Sequence, residues 1–459
     1  MLKKFIGTKE FYKSVFTLVI PIMIQNGITN FVNMLDNVMV GRVGTAQMTG
    51  VAVTNTLIFV FNLCIFGAIS GAGIFGAQFY GKGDNEGVRL VFRFKMLVSV
   101  IFAVLACAIF ILFGGNLINL YLKGEGTAAD IAASFGFARE YMLIMLIGFL
   151  PFCISQTYSS TLRETGHSVV PMVAGVVAVI TNLSLNYVLI FGKLGAPVLG
   201  VAGAAIATVV SRFVEMFFLI IYVALKRNEN SFIIGAFRSL YVPLSLVKKI
   251  CAKGIPLMLN ETLWAAGMAT VNQCYSLRGL SVVAATNINS TFFNVFSVAH
   301  FAVGVAIGIL LGQLLGADKK AEAKDAATKL IAVSIVISLV VSALFFVCAA
   351  FIPEIYNTNA EVKGIAKGLM QVCAITMTID AFVHAAYFTL RSGGKTAVTF
   401  IFDSGFVWAI HVPVAFILAR FTAIPIVTLY LFCQLLGLLK AAIGFYFVKK
   451  GVWINNIVN

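Results

Sequence analysis

Among the ionisable side chains inside long apolar runs of this 459-residue sequence are Asp36, Arg212, Glu215, Glu261, Asp380 and Asp403. Charged groups at membrane depth cost several kcal/mol on most scales, so each demands either a partner or a function. Asp36 ends a stripe of amides, Asn26, Asn30, Asn33 and Asn37, whose spacing lines one helical face. Asn182 and Asn186, one turn apart, and Thr208 offer further oxygens. Asp36, Asn33, Asn182, Asn186 and Thr208 together suit a hard monovalent cation such as Na⁺, with Asp36, Asn182 and Asn186 as its inner ligands. The alternatives are that Asp36 takes up and releases a proton, since burial disfavours a charged carboxylate, or that the amides form a structural network.

Two other carboxylates share faces with polar or aromatic groups. Glu261 lies with Trp264, Met268 and Asn272, and Asp380 with His384, Tyr387 and Arg391. Both faces read as cavity linings for substrate. Asp380 and His384 suit a hydrogen-bonded, proton-titrating pair; as metal ligands they lack companions at metal spacing. Arg212 and Glu215, three residues apart, are expected to neutralise each other as a structural ion pair. Asp403, close to Lys395, reads as a cap or interfacial group, with a role in transport as the alternative.

The elements that must position these groups are membrane helices. The sequence is 60% hydrophobic and 11% charged, with a mean hydropathy of +0.98, against about a quarter charged in soluble chains. Twelve apolar segments approach the roughly 20 residues needed to cross hydrocarbon: 15–40, 51–79, 95–120, 136–160, 169–191, 200–225, 255–275, 284–314, 329–352, 366–390, 397–419 and 425–448. The basic start 1–13 is too short, and the first run too long and too polar, for a cleavable signal peptide, so the first helix is expected to stay in the mature protein. The eight cysteines lie in or beside spans without C-x-x-C spacing, which argues for packing rather than disulfides or zinc. The formal net charge is +15, yet the basic residues alternate with the spans instead of clustering, which argues against nucleic acid. Most of the 33 Lys and Arg fall on the side shared by both termini, placing both termini in the cytoplasm of a cell inner (cytoplasmic) membrane.

The sequence repeats. At an offset of 235 residues V-I-P-I-M-I-Q-N (19–26) meets G-I-P-L-M-L-N-E (254–261), Gln78 meets Gln313, and Gly81 meets Gly316. At an offset of 228 residues T-L-R-E-T-G-H-S (161–168) meets T-L-R-S-G-G-K-T (389–396). Six helices per repeat is an even number, which predicts an all-α bundle of two six-helix lobes related by a pseudo-two-fold along the membrane normal. The expected divisions are 1–225, a cytoplasmic connector 226–253, and 254–459. Gly67, Gly71, Gly304, Gly308 and Gly312 have the spacing of close helix packing.

P-I-M-I-Q with N-x-x-D-N downstream, V-G-R-V-G (40–44), Q-F-Y-G-K-G-D, the paired L-R-x-x-G motifs, N-L-S-L-N-Y-V-L-I-F-G (182–192) and N-E-T-L-W together resemble the multidrug and toxic compound extrusion (MATE) family, bacterial type. The resemblance covers essentially the whole chain. It implies an antiporter, not an enzyme, that exports small organic cations in exchange for Na⁺ or H⁺ by alternating access, with no cofactor, as a monomer among membrane lipids. It also implies that Asp36, Glu261 and Asp380 match the family's acidic positions of the first, seventh and tenth helices. Asn186 departs from it, because many members are acidic there. The alternative is a lipid-linked oligosaccharide flippase of related two-lobed fold, which needs a strongly cationic cavity for pyrophosphate.

Overall fold

In lipid no water satisfies backbone amides, so an apolar run of this length closes its hydrogen bonds within itself as a helix. The computed structural model describes residues 5–41, 43–122 and 128–459, leaving aside the side chains at 33, 34, 37, 38 and 128. Every expected span is helical, and the described residues contain no strand. The first three spans are α1 (Lys9–Gly41), α2 (Thr45–Lys82) and α3 (Asn85–Leu122). The fourth is two helices, α4 (Ala128–Ile147) and α5 (Phe149–Glu164), bent by 49° where Gly148 intervenes. Then follow α6 (Val169–Phe191), α7 (Gly200–Leu225), α8 (Leu244–Ser276), α9 (Leu280–Gly316), α10 (Lys320–Cys348) and α11 (Ala360–Ser392). The eleventh span runs from α12 (Thr396–Phe400) to α13 (Val412–Phe421), and α14 (Ile426–Lys450) is the twelfth.

Ten of these spans, eleven with the bent pair, are long and apolar enough to cross a membrane. The remaining one, α8, has the length but carries Lys248, Lys249, Lys253, Asn260 and Glu261, which lower its hydropathy. Polar content on that helix is therefore placed where the site chemistry lies.

Between α12 and α13 the helix widens. Phe406 N–H reaches the carbonyl of Ile401 and Val412 N–H that of Val407, the five-residue spacing of a π-helix. Pro413 follows at once; it has no N–H to give and its ring crowds the carbonyl four residues back, so a wider turn relieves both defects. π-Turns are uncommon and concentrate at functional sites.

By internal contacts the chain divides into two units, one of Met1–Met23, Ala77–Asp84 and Ala252–Asn459, the other of Ile24–Gly76 and Asn85–Cys251. In the first, Val15, Leu18, Val19 and Ile22 of α1 pack with Ala302, Val303 and Ala306 of α9 and with Leu330, Leu390 and Trp453. In the second, Phe61 stacks on Phe149 at 4.2 Å, beside Ile65 and Phe110. Ile101, Leu105, Ile111 and Leu112 of α3, and Val336, Leu339, Val340 and Val347 of α10, stay exposed. Such apolar ridges are what hydrocarbon accommodates and water does not.

Within the first unit the ends of α2 and α9 meet so closely that a Cβ at Gly81 would strike the backbone carbonyl of Gln313, and one at Gly316 that of Gln78. Gly81 and Gly316, like Gln78 and Gln313, are equivalent under the sequence repeat, so this is one contact made twice. The buried Gln78 amide also ties down the stretch after α14: it donates to Ser392 O (3.0 Å) and Asn455 O (3.2 Å) and accepts from Ile457 N–H (2.9 Å). Gly316→Val is expected to destabilise by at least about 1–3 kcal/mol through forced backbone separation, read as a lower melting temperature in detergent. Gly364→Val, where no neighbour lies within 4 Å of a Cβ, is the control that should leave melting nearly unchanged.

Candidate functional site

In the second unit Asp36 Oδ1 accepts from Asn186 Nδ2 at 2.6 Å, and the same nitrogen donates to Asn182 Oδ1 at 3.1 Å. Asn182 and Asn186 are buried on α6, with Asn186 only 1% exposed. Asn182 meets Thr208 Oγ1 of α7 at 3.2 Å. Turning the Asn182 amide places its nitrogen 3.1 and 3.2 Å from the two Asp36 oxygens and lets its oxygen accept from Thr208; hydrogen-bond logic favours that orientation, since amide nitrogen and oxygen are assigned from the network. Asp36, Asn182, Asn186 and Thr208 are thus brought together from three helices. The side chains of Asn33 and Asn37 lie outside the described residues.

Amide nitrogens, not oxygens, face the carboxylate in this arrangement. A hard cation needs oxygens, and Asn186 Oδ1 is buried without a hydrogen-bond partner among the described residues. Rotating that amide, together with Asn182, would present two amide oxygens beside Asp36, so the donor set fits a small cation after both side chains turn.

The neighbouring bases differ from expectation. No ion pair within 4.0 Å joins Arg212 to Glu215 among the described residues; Arg212 Nη1 instead donates to Gly148 O (3.3 Å) and its guanidinium lies 5.0 Å from the Phe152 ring. The break between α4 and α5 presents that carbonyl and that aromatic face, which together outcompete an i, i+3 partner. Arg163 donates to Gln25 Oε1 at 2.6 Å. Lys95, the first residue of the third apolar run, is fully buried in α3 and bonds both oxygens of Glu164 at 2.6 Å.

In the first unit Tyr387 donates to Glu261 Oε1 at 3.2 Å, and Arg391 Nη1 lies 4.0 Å from the same oxygen. Asn260, fully buried next to Glu261, donates to Tyr387 OH (3.2 Å) and to Asp403 Oδ2 (3.0 Å). Lys440 of α14 donates to Asp403 Oδ1 at 2.6 Å. Arg391, Glu261, Tyr387, Asn260, Asp403 and Lys440 form one continuous polar chain. Asp403 is therefore neither a cap nor interfacial: the π-turns carry it inward, and Ser404 beside it donates to the same Asn260 through both N–H (3.2 Å) and Oγ (2.7 Å). Adjacent residues of a regular helix point about 100° apart and would not both reach one side chain.

Asp380 and His384 share a face of α11, but no hydrogen bond joins them among the described residues. His384 packs instead in an aromatic nest, 4.5 Å from the Phe301 ring and 5.0 Å from Phe388, which the small Gly304 admits. Trp264 is 38% exposed one turn beyond Glu261. Asn272, also exposed, lies eleven residues along α8, about 16 Å away, and joins none of these contacts. Sequence reading missed Asn260, Lys440 and Lys95; an i−1 amide beside Glu261 and two lysines inside apolar runs were the available signals.

The MatE family model matches residues 21–188 and 256–417, a stretch in each repeat that includes Asp36 in the first and Glu261, Asp380 and Asp403 in the second. The chain belongs to the MatE family. MatE relatives include a probable multidrug resistance protein NorM of Thermotoga maritima, 25% identical over 97% of this chain and 93% of its own length, and a probable multidrug resistance protein YoeA of Bacillus subtilis, 24% identical over 90% and 88%. Among solved structures the fold matches an outward-facing multidrug resistance MATE family transporter with a TM-score of 0.87 (19% identity, 98% of this chain and 97% of that one). It matches a Vibrio cholerae MATE transporter, VcmN, with the same TM-score of 0.87 (18% identity, 97% and 98%). As a MatE member this is a multi-pass, twelve-span, all-α membrane transporter, not an enzyme.

Proposed function

We propose that this chain is a secondary antiporter that exports small organic cations, drugs among them, in exchange for Na⁺ or H⁺ by alternating access. The observation that carries the reading is Asp36, a membrane-embedded carboxylate held by neutral amides and by no basic group among the described residues, in a MatE chain whose relatives bear multidrug resistance names. An acid with no basic partner exchanges its counter-ion with the medium, and by linkage that ion and the exported cation oppose each other's binding. Glu261, Asp380, Tyr387, His384 and Trp264 supply acidic and aromatic surfaces for a lipophilic cation. Formally, Glu261, Asp380 and Asp403 outnumber Arg391 and Lys440, the wrong sign for a pyrophosphate-bearing flippase substrate. The chain is placed in the cytoplasmic membrane with both termini inside, acting as a monomer among membrane lipids.

Ethidium efflux from proteoliposomes tests this under an imposed Na⁺ gradient and, separately, an imposed pH gradient. One of the two gradients is expected to drive export against the dye's own gradient. If neither does, the antiport reading fails.

A further inference from the structure

Lys440 sits where a cation would bind. Its side chain is 11% exposed, its ammonium is 2.6 Å from Asp403 Oδ1, and it lies 5.4 and 5.8 Å from the rings of Phe402 and Phe406. A carboxylate flanked by aromatic faces is the surround that recognises ammonium groups. Asn260 holds the other Asp403 oxygen at 3.0 Å, and Ser404 holds Asn260, so the anion cannot turn away. One turn earlier on α14, Gly437 lets Asp380 approach: a Cβ there would lie 4.0 Å from Asp380 Oδ1. Asp380, on a neighbouring helix, thus approaches α14 one turn from Lys440, while the ammonium itself touches Asp403.

The repeat shows that the acid of this pair is an addition to the scaffold, while a basic residue stands at the lysine's place in both copies. At the 228-residue offset Lys440 corresponds to Arg212 and Asp403 to Gly175, and Asn260 corresponds to Gln25 at the 235-residue offset. The correspondence holds in space, because a Cβ at Gly175 would lie 3.1 Å from Gln25 Nε2 just as Asp403 bonds Asn260. The first repeat has glycine where the second has an acid, so general packing does not require the pair.

We infer that Lys440 is a specificity-determining residue, a tethered cation that permanently fills a cation site between Asp403 and Asp380, so that ion exchange is left to Asp36. The inference rests on the antiport reading above. It makes Lys440→Ala the removal of a bound cation rather than of a packing group: the vacated cage should accept a small primary ammonium from solution.

The test compares Lys440→Ala, Asp403→Asn/Lys440→Met and the unaltered protein in dye efflux and in detergent melting, each with millimolar methylammonium, tetramethylammonium or Na⁺. Lys440→Ala is expected to slow efflux about tenfold or more, as truncating one member of a buried charge pair does. Methylammonium should restore most of that loss and raise the variant's melting temperature, while tetramethylammonium, too large for the lysine's place, should do neither. The double variant, which also removes the carboxylate that Lys440 touches, should melt closer to the unaltered protein than Lys440→Ala does and ignore methylammonium. If Lys440→Ala transports normally, or if neither its melting nor its efflux responds to methylammonium or Na⁺, Lys440 is not a tethered cation. Should Lys440→Ala not fold, Lys440→Gly purified in methylammonium replaces it, and loss of fold regardless of the amine overturns the inference. Failure of the antiport reading alone would remove efflux from every protein yet leave the melting response to methylammonium intact.

Discussion

Asp36→Asn is expected to give a folded protein whose gradient-driven efflux is slower by at least about a hundredfold, equivalent to about 2.7 kcal/mol. The substitution keeps size, and its remaining oxygen can still accept from Asn186 Nδ2, which now reaches Asp36 at 2.6 Å. Packing should therefore survive. What disappears is the negative charge, and Asn182, Asn186 and Thr208 contribute none. Without it neither Na⁺ nor H⁺ has an anchor at this site, and a cation gradient has nothing to act on. Initial rates of dye efflux at matched protein incorporation, under each gradient in turn, measure the effect. Efflux equal to that of the unaltered protein would remove Asp36 from coupling.

The largest expected effect on stability is at Lys95. Its ammonium meets both Glu164 oxygens at 2.6 Å and Ser160 Oγ at 3.1 Å, and Ser160 also donates to Glu164 at 2.6 Å. The carboxylate fits because α2 has glycine opposite: a Cβ at Gly73 would lie 2.6 Å from Glu164 Oε1, and Gly76 is tighter still. Lys95→Met strands that carboxylate away from water, and breaking a buried pair on one side costs about 3–5 kcal/mol. Removing both charges with Lys95→Met/Glu164→Gln leaves nothing unpaired and should recover much of the loss. Melting in detergent and yield of monodisperse protein report both variants. A single variant as stable as the unaltered protein would show the pair to be energetically neutral.

The glycine positions illustrate how far the sequence could be read. Gly81 and Gly316 were recognisable as equivalent from the repeat, because an internal duplication preserves a contact on which both copies depend. The reason for the glycines, backbone against backbone at the crossing of α2 and α9, needed the distances. The fourth span was legible as one apolar run, and the sequence signal for its 49° bend was Pro151 three residues after Gly148, whose ring crowds the carbonyl of Ile147 and which has no N–H to give; the angle itself needed the structure.

The same division separates the two acidic regions. Hydropathy and periodicity, which follow from the helix being the only way to satisfy an isolated backbone in lipid, determined twelve helices and the carboxylates that stand out at membrane depth; matching the sequence to itself gave the two repeats, and its motifs gave the MATE resemblance. Asp36 with Asn182, Asn186 and Thr208 could be assembled from sequence because each lies on a helix face already marked by polar residues. Partner choice could not be read that way. Arg212 turns to a carbonyl exposed by a helix break instead of to Glu215, and His384 enters an aromatic nest instead of pairing with Asp380. Asp403 is drawn inward by two π-turns to Asn260 and Lys440. Those outcomes depend on which groups from other helices lie within about 3 Å, a length far shorter than one helical turn, and only the tertiary structure decides them.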